Sequence, residues 1–587
     1  MSPNLKISTY VINRLSSVSA QYSGCLYGTM YDGTLLVVGF NLETFQGSDY
    51  KSNYSQIQNN FPTEVYLCGL VKFGDCSDTQ AHLKEILLDV DVTDNPVVLN
   101  CTSLGMKASF FVHGKLEEAK YEVVEESYLF NEFIYIRLQA ILRLVCENTA
   151  TSVADSMTQL RKKMVSGVVS FNFPKTQVFL MGAGTDSCLK NLTKESSVED
   201  LFKLYSSYEE DKLKSKKKKN LFEINVMNAG LVMKATKEFS AETLNKTAVK
   251  MSLITGATDS YIQLPLIVDA LSMIHRNTKI TQLYDMLVES TCSSLRLMES
   301  NIINQITCSD MELAQPIPYH YLPTNCGHFF TYYYPKNIQE KKYAEIRKML
   351  HQQLSLPMDR PQFRRANSYI FIDDLNKGPL LNVHEGISSQ VKGGTMSIVY
   401  GKYAYHHYMQ DKFNDDGWGC AYRSLQTLIS WFRLQGYTDH PIPTHTEIQK
   451  CLVDLGDKQQ SFIGSKQWIG STEVSFCLES MLGVTSRIIF VNNGEEMKTM
   501  GPDLSMHFET NGTPIMIGGG VLAHTILGVD YNAETGDIKF LILDPHYVGP
   551  DDLITIQSKG WCSWKDASFW RKTAYYNMCL PQRPRCI

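Results

Sequence analysis

The segment Asn414 to Trp431 (NDDGWGCAYRSLQTLISW) constrains this chain more than any other. Gly417 and Gly419 flank Trp418 and lead into Cys420, after which Ala421, Leu425, Leu428, Ile429 and Phe432 recur at helical spacing. Gly436 follows as a helix stop, so the pattern predicts a helix that begins at Cys420. At a helix start the unpaired N–H groups and the positive end of the dipole stabilise a thiolate. The glycines let the backbone approach a substrate carbonyl closely. Most free cysteines are buried filler, so this setting makes Cys420 a candidate nucleophile and needs a partner to make it more.

The partner lies near the C-terminus. Pro514 to Gly518 (PIMIG), His524 to Val529 (HTILGV) and Lys539 to Asp544 (KFLILD) read as three strands, joined by turns at Gly518-Gly519-Gly520 and at Ala533 to Asp537. The third strand ends in Asp544-Pro545-His546. Residues i and i+2 of an extended segment face one side, and Pro545 biases Asp544 toward an extended backbone. Asp544 and His546 therefore point together, as a Cys-His-Asp triad requires: an imidazole to pair with the thiolate and a carboxylate to orient it. For the oxyanion, Tyr408 and Gln410 are both suitable donors beside the Cys420 N–H, and the residues alone do not separate them. Trp418 and Trp468 are candidates to wall a substrate channel, or to pack. His524 starts the strand next to Asp544 and reads either as a substrate contact or as a structural hydrogen-bonding residue. Arg423, one turn into the helix, reads as thiolate support or as half of a structural ion pair.

Elsewhere the chain offers no comparable constellation. At 587 residues it is too long for one core, and 43% hydrophobic with 20% charged residues is the composition of folded domains, two to four by length. A net charge of -5 argues against non-specific nucleic-acid binding. The basic run Lys212 to Lys219 follows three acidic residues and reads as a solvated loop. The 15 cysteines include no C-x-x-C pair, which argues against a disulfide framework and a cysteine zinc site and for a reducing, cytosolic setting. The N-terminus lacks a signal-peptide apolar run, and the apolar stretch Tyr128 to Cys146 is broken by Glu132, Arg137 and Arg143, so no membrane span is expected. Cys586 is misplaced for prenylation. His320, Cys326 and His328 are too few for a metal site and are expected to pack in a core or loop.

Along the N-terminal part, Gly24 to Phe40 predicts a hairpin turned at Asp32-Gly33, and Val65 to Phe73 a strand. Leu129, Phe133, Ile136, Ala140 and Leu144 predict a helix over 128–147. Between 150 and 385 we expect strands at Val178 to Met181 and Phe222 to Val226, helix over 262–300, and an irregular segment from Pro316 to Pro323. The strand-strand-helix order of the first 150 residues resembles the MPN domain of some metal-dependent deubiquitinases. That family places a His-x-His zinc motif after the strand corresponding to 65–73; here Lys72-Phe73-Gly74-Asp75 follows, with no histidine before His82, so the resemblance implies a metal-free binding module.

A second resemblance covers most of 393–587. Tyr408-Met-Gln-Asp411, Asp416-Gly-Trp-Gly-Cys-Ala-Tyr-Arg-Ser-Leu-Gln426, Gln467-Trp-Ile-Gly470, Gly512 to Val529 and Phe540-Leu-Ile-Leu-Asp-Pro-His-Tyr547 closely resemble the proteases specific for the ubiquitin-fold modifier, and the long N-terminal extension resembles the longer form of that family. The resemblance implies a papain-like fold with Cys420 as nucleophile, His546 and Asp544 as its partners, and Tyr408, twelve residues before the nucleophile, on the oxyanion. It implies cleavage after the modifier's C-terminal glycine, in the precursor and in lysine conjugates, with no cofactor or metal. It also implies docking of the N-terminal region to a membrane adaptor at the endoplasmic reticulum. The nearest enzymatic rival is an autophagin-like protease, which shares Gly-Trp-Gly-Cys and Asp-Pro-His; the non-enzymatic rival is an inactive modifier-binding scaffold. The expected fold class is α+β: an MPN-like module over 1–150, a mixed α/β region over 151–385 and a papain-like protease domain over 386–587.

Overall fold

The computed structural model describes residues 3–18, 23–43, 57–73, 95–102, 105–174, 176–182, 187–213, 224–233, 261–308, 313–336, 339–371, 374, 378–389 and 391–587. They form two compact units, Met1–Pro357 and Met358–Ile587.

The first unit opens with the expected hairpin, Ser23–Tyr31 and Thr34–Glu43, turned by Asp32 and Gly33 with φ of 44° and 72°. It belongs to an eight-stranded sheet ordered Lys115–Ala119, Gly105–Val112, Val97–Thr102, Tyr66–Phe73, Ser23–Tyr31, Thr34–Glu43, Asn4–Ser8, Tyr121–Val124. The two outermost strands are separated in sequence by Lys120 alone, so the sheet curls until its edges approach each other.

The predicted 128–147 helix is corrected. Helix covers only Glu126–Glu132, and Phe133–Glu147 is one 15-residue strand. It runs antiparallel to Tyr261–His275 in unbroken register, Phe133 opposite His275 and Glu147 opposite Tyr261. The prediction of helix over 262–300 fails in its first part for the same reason, and the helix occupies Ile280–Thr307. Phe133 to Leu138 are all buried, as are Val268 to His275. A run covered on both faces has no alternation to mark it as strand, and its Phe, Ile and Tyr content is what favours the extended form. The supposed irregular segment is also strand: Pro316–Tyr321 pairs with Phe330–Pro335 in a two-stranded ribbon, where a proline need not donate to a neighbour. Val178–Met181 is a strand as expected, whereas the next one runs Val226–Met233, and Phe222 and Glu223 lie outside the described residues, as do His82 and the basic run from Lys214 onward. His320, Cys326 and His328 are buried in packing, with His320 Nδ1 2.8 Å from Thr331 Oγ1.

The second unit sets one helix against one sheet. The helix Cys420–Leu434 has every residue from Cys420 to Phe432 buried. It packs on an antiparallel sheet ordered Ser486–Val491, Tyr576–Pro581, Ile515–Gly519, Leu522–Tyr531, Ile538–Leu543, Cys562–Asp566, with Thr395–Ile398 paired alongside Leu522–Tyr531. Helices His445–Asp454 and Ser471–Leu482 cover the flank. The core between them joins Leu425, Leu428, Trp431 and Phe432 to Met516, Leu527, Leu541 and Leu543. The strands Ile515–Gly519, Leu522–Tyr531 and Ile538–Leu543 fall within a few residues of the expected ones, and this places the start of the helix opposite the end of the Ile538–Leu543 strand.

Candidate active site

Cys420 starts its helix because of what precedes it. The Asp415 carbonyl accepts from the N–H groups of Trp418 (3.2 Å) and Gly419 (2.9 Å), which closes the turn. Gly417 sits at φ 77°, the left-handed region that favours glycine, whereas Gly419 is glycine for space: a Cβ there would lie 2.6 Å from the Asp415 side chain. The two glycines flanking Trp418 thus serve different needs.

The Asp-Pro-His segment meets this helix start. Asp544 Oδ1 accepts from His546 Nδ1 at 2.6 Å and from the His546 backbone N–H at 3.0 Å. Tyr405 donates its hydroxyl to the Asp544 carbonyl, and Asp544 N–H donates to Trp561 O at 2.8 Å, so the strand end is held on both sides. With Nδ1 committed to Asp544, the buried Nε2 of His546 has no nitrogen or oxygen partner among the described residues and serves the Cys420 thiol. Burial opposes a charged thiol at Cys420. The interactions with His546, the Ala523 backbone N–H and the Tyr408 hydroxyl outweigh it and lower its pKa. Burial likewise opposes a charged imidazole, yet Asp544 and Cys420 push His546 up to about 9. Both shifts favour the thiolate–imidazolium form of the pair. Burial raises the Tyr408 pKa, with the neighbouring Cys420 charge adding to it, so the phenol keeps its proton and remains a donor.

Tyr408 and Gln410 stand differently toward Cys420. Tyr408 is buried, meets the Cys420 sulfur and stands edge-on to the His546 ring at 5.3 Å. Gln410 turns away: its amide donates to Tyr405 O (3.2 Å) and Asp551 Oδ1 (3.1 Å), and its oxygen accepts from His407 N–H (3.1 Å). Trp418 and Trp468 both line a groove of about 430 Å³ at Cys420, together with Gly518, Gly519, Leu522 and Tyr575. Trp468 is 56% exposed and free to meet a ligand, whereas Trp418 is wedged against Tyr422 and His445. His524 does not line that groove. It lies behind the pair, its ring 5.3 Å from that of His546 and its Nε2 3.9 Å from Asp544 Oδ2, and burial lowers its pKa to about 4, so it is neutral. His524, Asp544 and His546 offer three atoms close enough to suggest a metal. The 2.6 Å contact between Asp544 and His546 is a hydrogen bond, shorter than the roughly 3.3 Å between two tetrahedral zinc ligands.

Arg423 is the structural alternative of its two readings: 1% exposed, it donates Nε to Asp415 Oδ2 at 2.6 Å and does not serve the thiolate. Asp415 itself, fully buried beneath the turn that leads into Cys420, has no counterpart among the sequence candidates, nor has His445, whose Nε2 lies 3.0 Å from the same carboxylate oxygen. The one available signal was the acidic pair Asp415-Asp416 just ahead of Gly417-Trp418-Gly419, which a solvated loop explains equally well.

Fold and site together define a cysteine peptidase, and the comparisons agree. Residues 394–579 match peptidase family C78, residues 1–129 match the insect UFM1-specific protease N-terminal MPN-like domain, and residues 154–376 match the N-terminal region of ubiquitin-fold modifier 1 specific protease 2. The chain is 46% identical to the probable Ufm1-specific protease 2 of Drosophila pseudoobscura pseudoobscura over the whole of both sequences. It is 40% identical to the Ufm1-specific protease 2 of Homo sapiens over 73% of this chain and 92% of that protein. The crystal structure of UfSP from C. elegans superposes with a TM-score of 0.69 at 25% identity, covering both chains fully. The chain belongs to the Ufm1-specific protease family.

Proposed function

We propose that this protein cleaves after the C-terminal glycine of the ubiquitin-fold modifier, both to mature its precursor and to release it from lysines of target proteins. The observation that carries this is the Cys420 sulfur paired with His546, itself fixed by Asp544 at 2.6 Å, in a groove lined by Gly470, Gly518, Gly519 and Gly520. The thiolate attacks the glycine carbonyl, and the charge on its oxygen is held by the Tyr408 hydroxyl and the Cys420 N–H. Imidazolium His546 gives its proton to the leaving amine as the tetrahedral species collapses to a thioester. Neutral His546 then takes a proton from water, the hydroxide adds to the thioester carbonyl, and the thiolate leaves. Gly518 and Gly519, lining the groove together with Trp418 and Trp468, leave a slot suited to a tail without side chains.

The N-terminal unit contributes no residue to this chemistry, and we assign it to recruitment: docking to a membrane adaptor that brings a cytoplasmic enzyme to the endoplasmic reticulum surface. No helix among the described residues is long and apolar enough to cross a membrane, so attachment through a partner is the economical arrangement. The modifier and its conjugates are the protein partners in this reading, and the net charge of -5 argues against non-specific binding of nucleic acid. The test is turnover of a modifier–aminocoumarin reporter by Cys420→Ser. Loss of about 10⁴-fold in kcat is expected for a nucleophile, and retained turnover would remove Cys420 from the mechanism.

A further inference from the structure

Asp415 carries two connections that no other buried acid among the described residues of the second unit combines. Its backbone carbonyl closes the turn into the nucleophile helix, as described. Its carboxylate reaches the other way: Oδ1 accepts from the Met409 backbone N–H at 2.8 Å, one residue beyond Tyr408. Met409 stands at φ 62° and Asp411 at φ 57°, so the chain immediately after Tyr408 is held in a left-handed turn that L residues seldom adopt unaided. Arg423 donates Nε to Asp415 Oδ2 at 2.6 Å and NH2 to the Gln410 carbonyl at 3.1 Å, which ties the same turn to the nucleophile helix a second time. On its other flank the Tyr408 N–H donates to Pro545 O at 2.9 Å, inside the Asp-Pro-His segment. Tyr408 is thus gripped between the histidine's strand end and a carboxylate that also shapes the cysteine's turn.

We infer that Asp415 is a positioning residue that sets the Tyr408 hydroxyl at its working distance from Cys420, and this rests on Tyr408 being the oxyanion donor proposed above. The arrangement is costly to hold for any lesser reason. Asp415 is 0% exposed and Arg423 1%. A buried ion pair is seldom a gain over apolar packing, but it fixes register where a precise distance matters. An oxyanion donor is such a case, because only a hydroxyl already aimed at the developing charge lowers the barrier. Burial disfavours the Asp415 carboxylate, and the contacts from His445 and Arg423 reverse this and keep it ionised below the usual carboxylate range.

Asp415→Asn in the full chain is the direct test. Asparagine keeps the shape but has one acceptor atom where the site uses two, so in either amide orientation a donor faces a donor, Met409 N–H or Arg423 Nε. We expect kcat on the modifier–aminocoumarin reporter to fall about 10-fold with KM within about 2-fold, since the oxyanion exists only in the transition state. Iodoacetamide alkylation of Cys420 should fall by less than kcat does, because the pair with His546, a larger influence on the thiol than Tyr408, is kept. The deciding comparison is a double-mutant cycle: in a Tyr408→Phe background, Asp415→Asn should cost less than about 2-fold. An equal loss in both backgrounds, or a loss confined to KM, would make Asp415 a merely structural residue and overturn the inference. Should Asp415→Asn fail to give folded protein by near-ultraviolet circular dichroism, His445→Gln runs the same cycle. A kcat loss of about 3-fold that vanishes with Tyr408→Phe supports the inference, and an additive one defeats it. Unimpaired Tyr408→Phe would instead sink the oxyanion assignment, which separates failure of that reading from failure of this one.

Discussion

Cys420 and His546 shift each other's ionisation in opposite directions, and the pH profile follows from the signs. The thiol is lowered, so the thiolate forms below the ordinary cysteine range; the imidazole is raised to about 9, so its proton is retained up to that pH. The competent pair therefore exists above the first value and below the second. We expect kcat/KM on the reporter to rise with the lowered thiol ionisation and to fall again as His546 deprotonates near pH 9. A profile that climbs through pH 10 like a free thiol would contradict the pair. At this scale the sequence is unusually legible. Asp544 and His546 are two residues apart, so an extended backbone suffices to bring them to one side. Tyr408 and Gln410 are also two apart, and there the same rule fails to choose, because Met409 turns left-handed between them and sends Gln410 to Tyr405 and Asp551. Asp415 was illegible for a related reason: its partners at 409, 423 and 445 come together only after three separate segments have packed.

Among elements, the turn into the nucleophile helix yields the sharpest contrast. Gly417 needs only its positive φ, since nothing lies within 4 Å of where a Cβ would stand. Gly417→Ala should therefore cost about 1 kcal/mol, a Tm drop of roughly 3 °C, with reporter kcat nearly unchanged. Gly419→Ala would press a methyl to 2.6 Å from the Asp415 side chain and must move it. Here kcat should fall about 10-fold even where Tm moves little, because the shift reaches Tyr408 through Met409. Melting curves and reporter kinetics on the two variants read both outcomes, and equal effects would reject the distinction. The helix from Cys420 was readable because its apolar residues follow one clear period, and the three strands leading to Asp544 because glycine turns and a proline bound short apolar runs. Phe133–Glu147 and Tyr261–His275 were misread because partners on both faces of their paired halves, Phe133–Leu138 and Val268–His275, erase the alternation that identifies a strand.

For the whole molecule, two compact units and a chemistry confined to the second predict separable tasks. A truncation at Pro357 is the informative one. Asp359, Arg364 and Asn367 pack within the protease unit, through Arg583 (3.0 Å), the Gly436 carbonyl (3.1 Å) and the Gln435 carbonyl (2.7 Å) respectively. Residues 358–587 should hydrolyse the small reporter with kcat within about 2-fold of the full chain while losing association with endoplasmic reticulum membranes. Undiminished membrane association would refute the recruitment role. At every scale one division recurs. Where geometry follows from neighbours in the chain, as for a thiol at a helix start or an acid and an imidazole two residues apart on a strand, the order of residues is enough to specify the chemistry. Where it depends on which surfaces meet, folding decides: it buried Asp415 against Arg423, turned Gln410 aside, set His524 behind the pair rather than in the groove, and made a strand of an apolar run that suits a helix equally well. Backbone sterics and short-range periodicity act within a few residues, whereas desolvation and charge pairing act between whichever groups packing brings together.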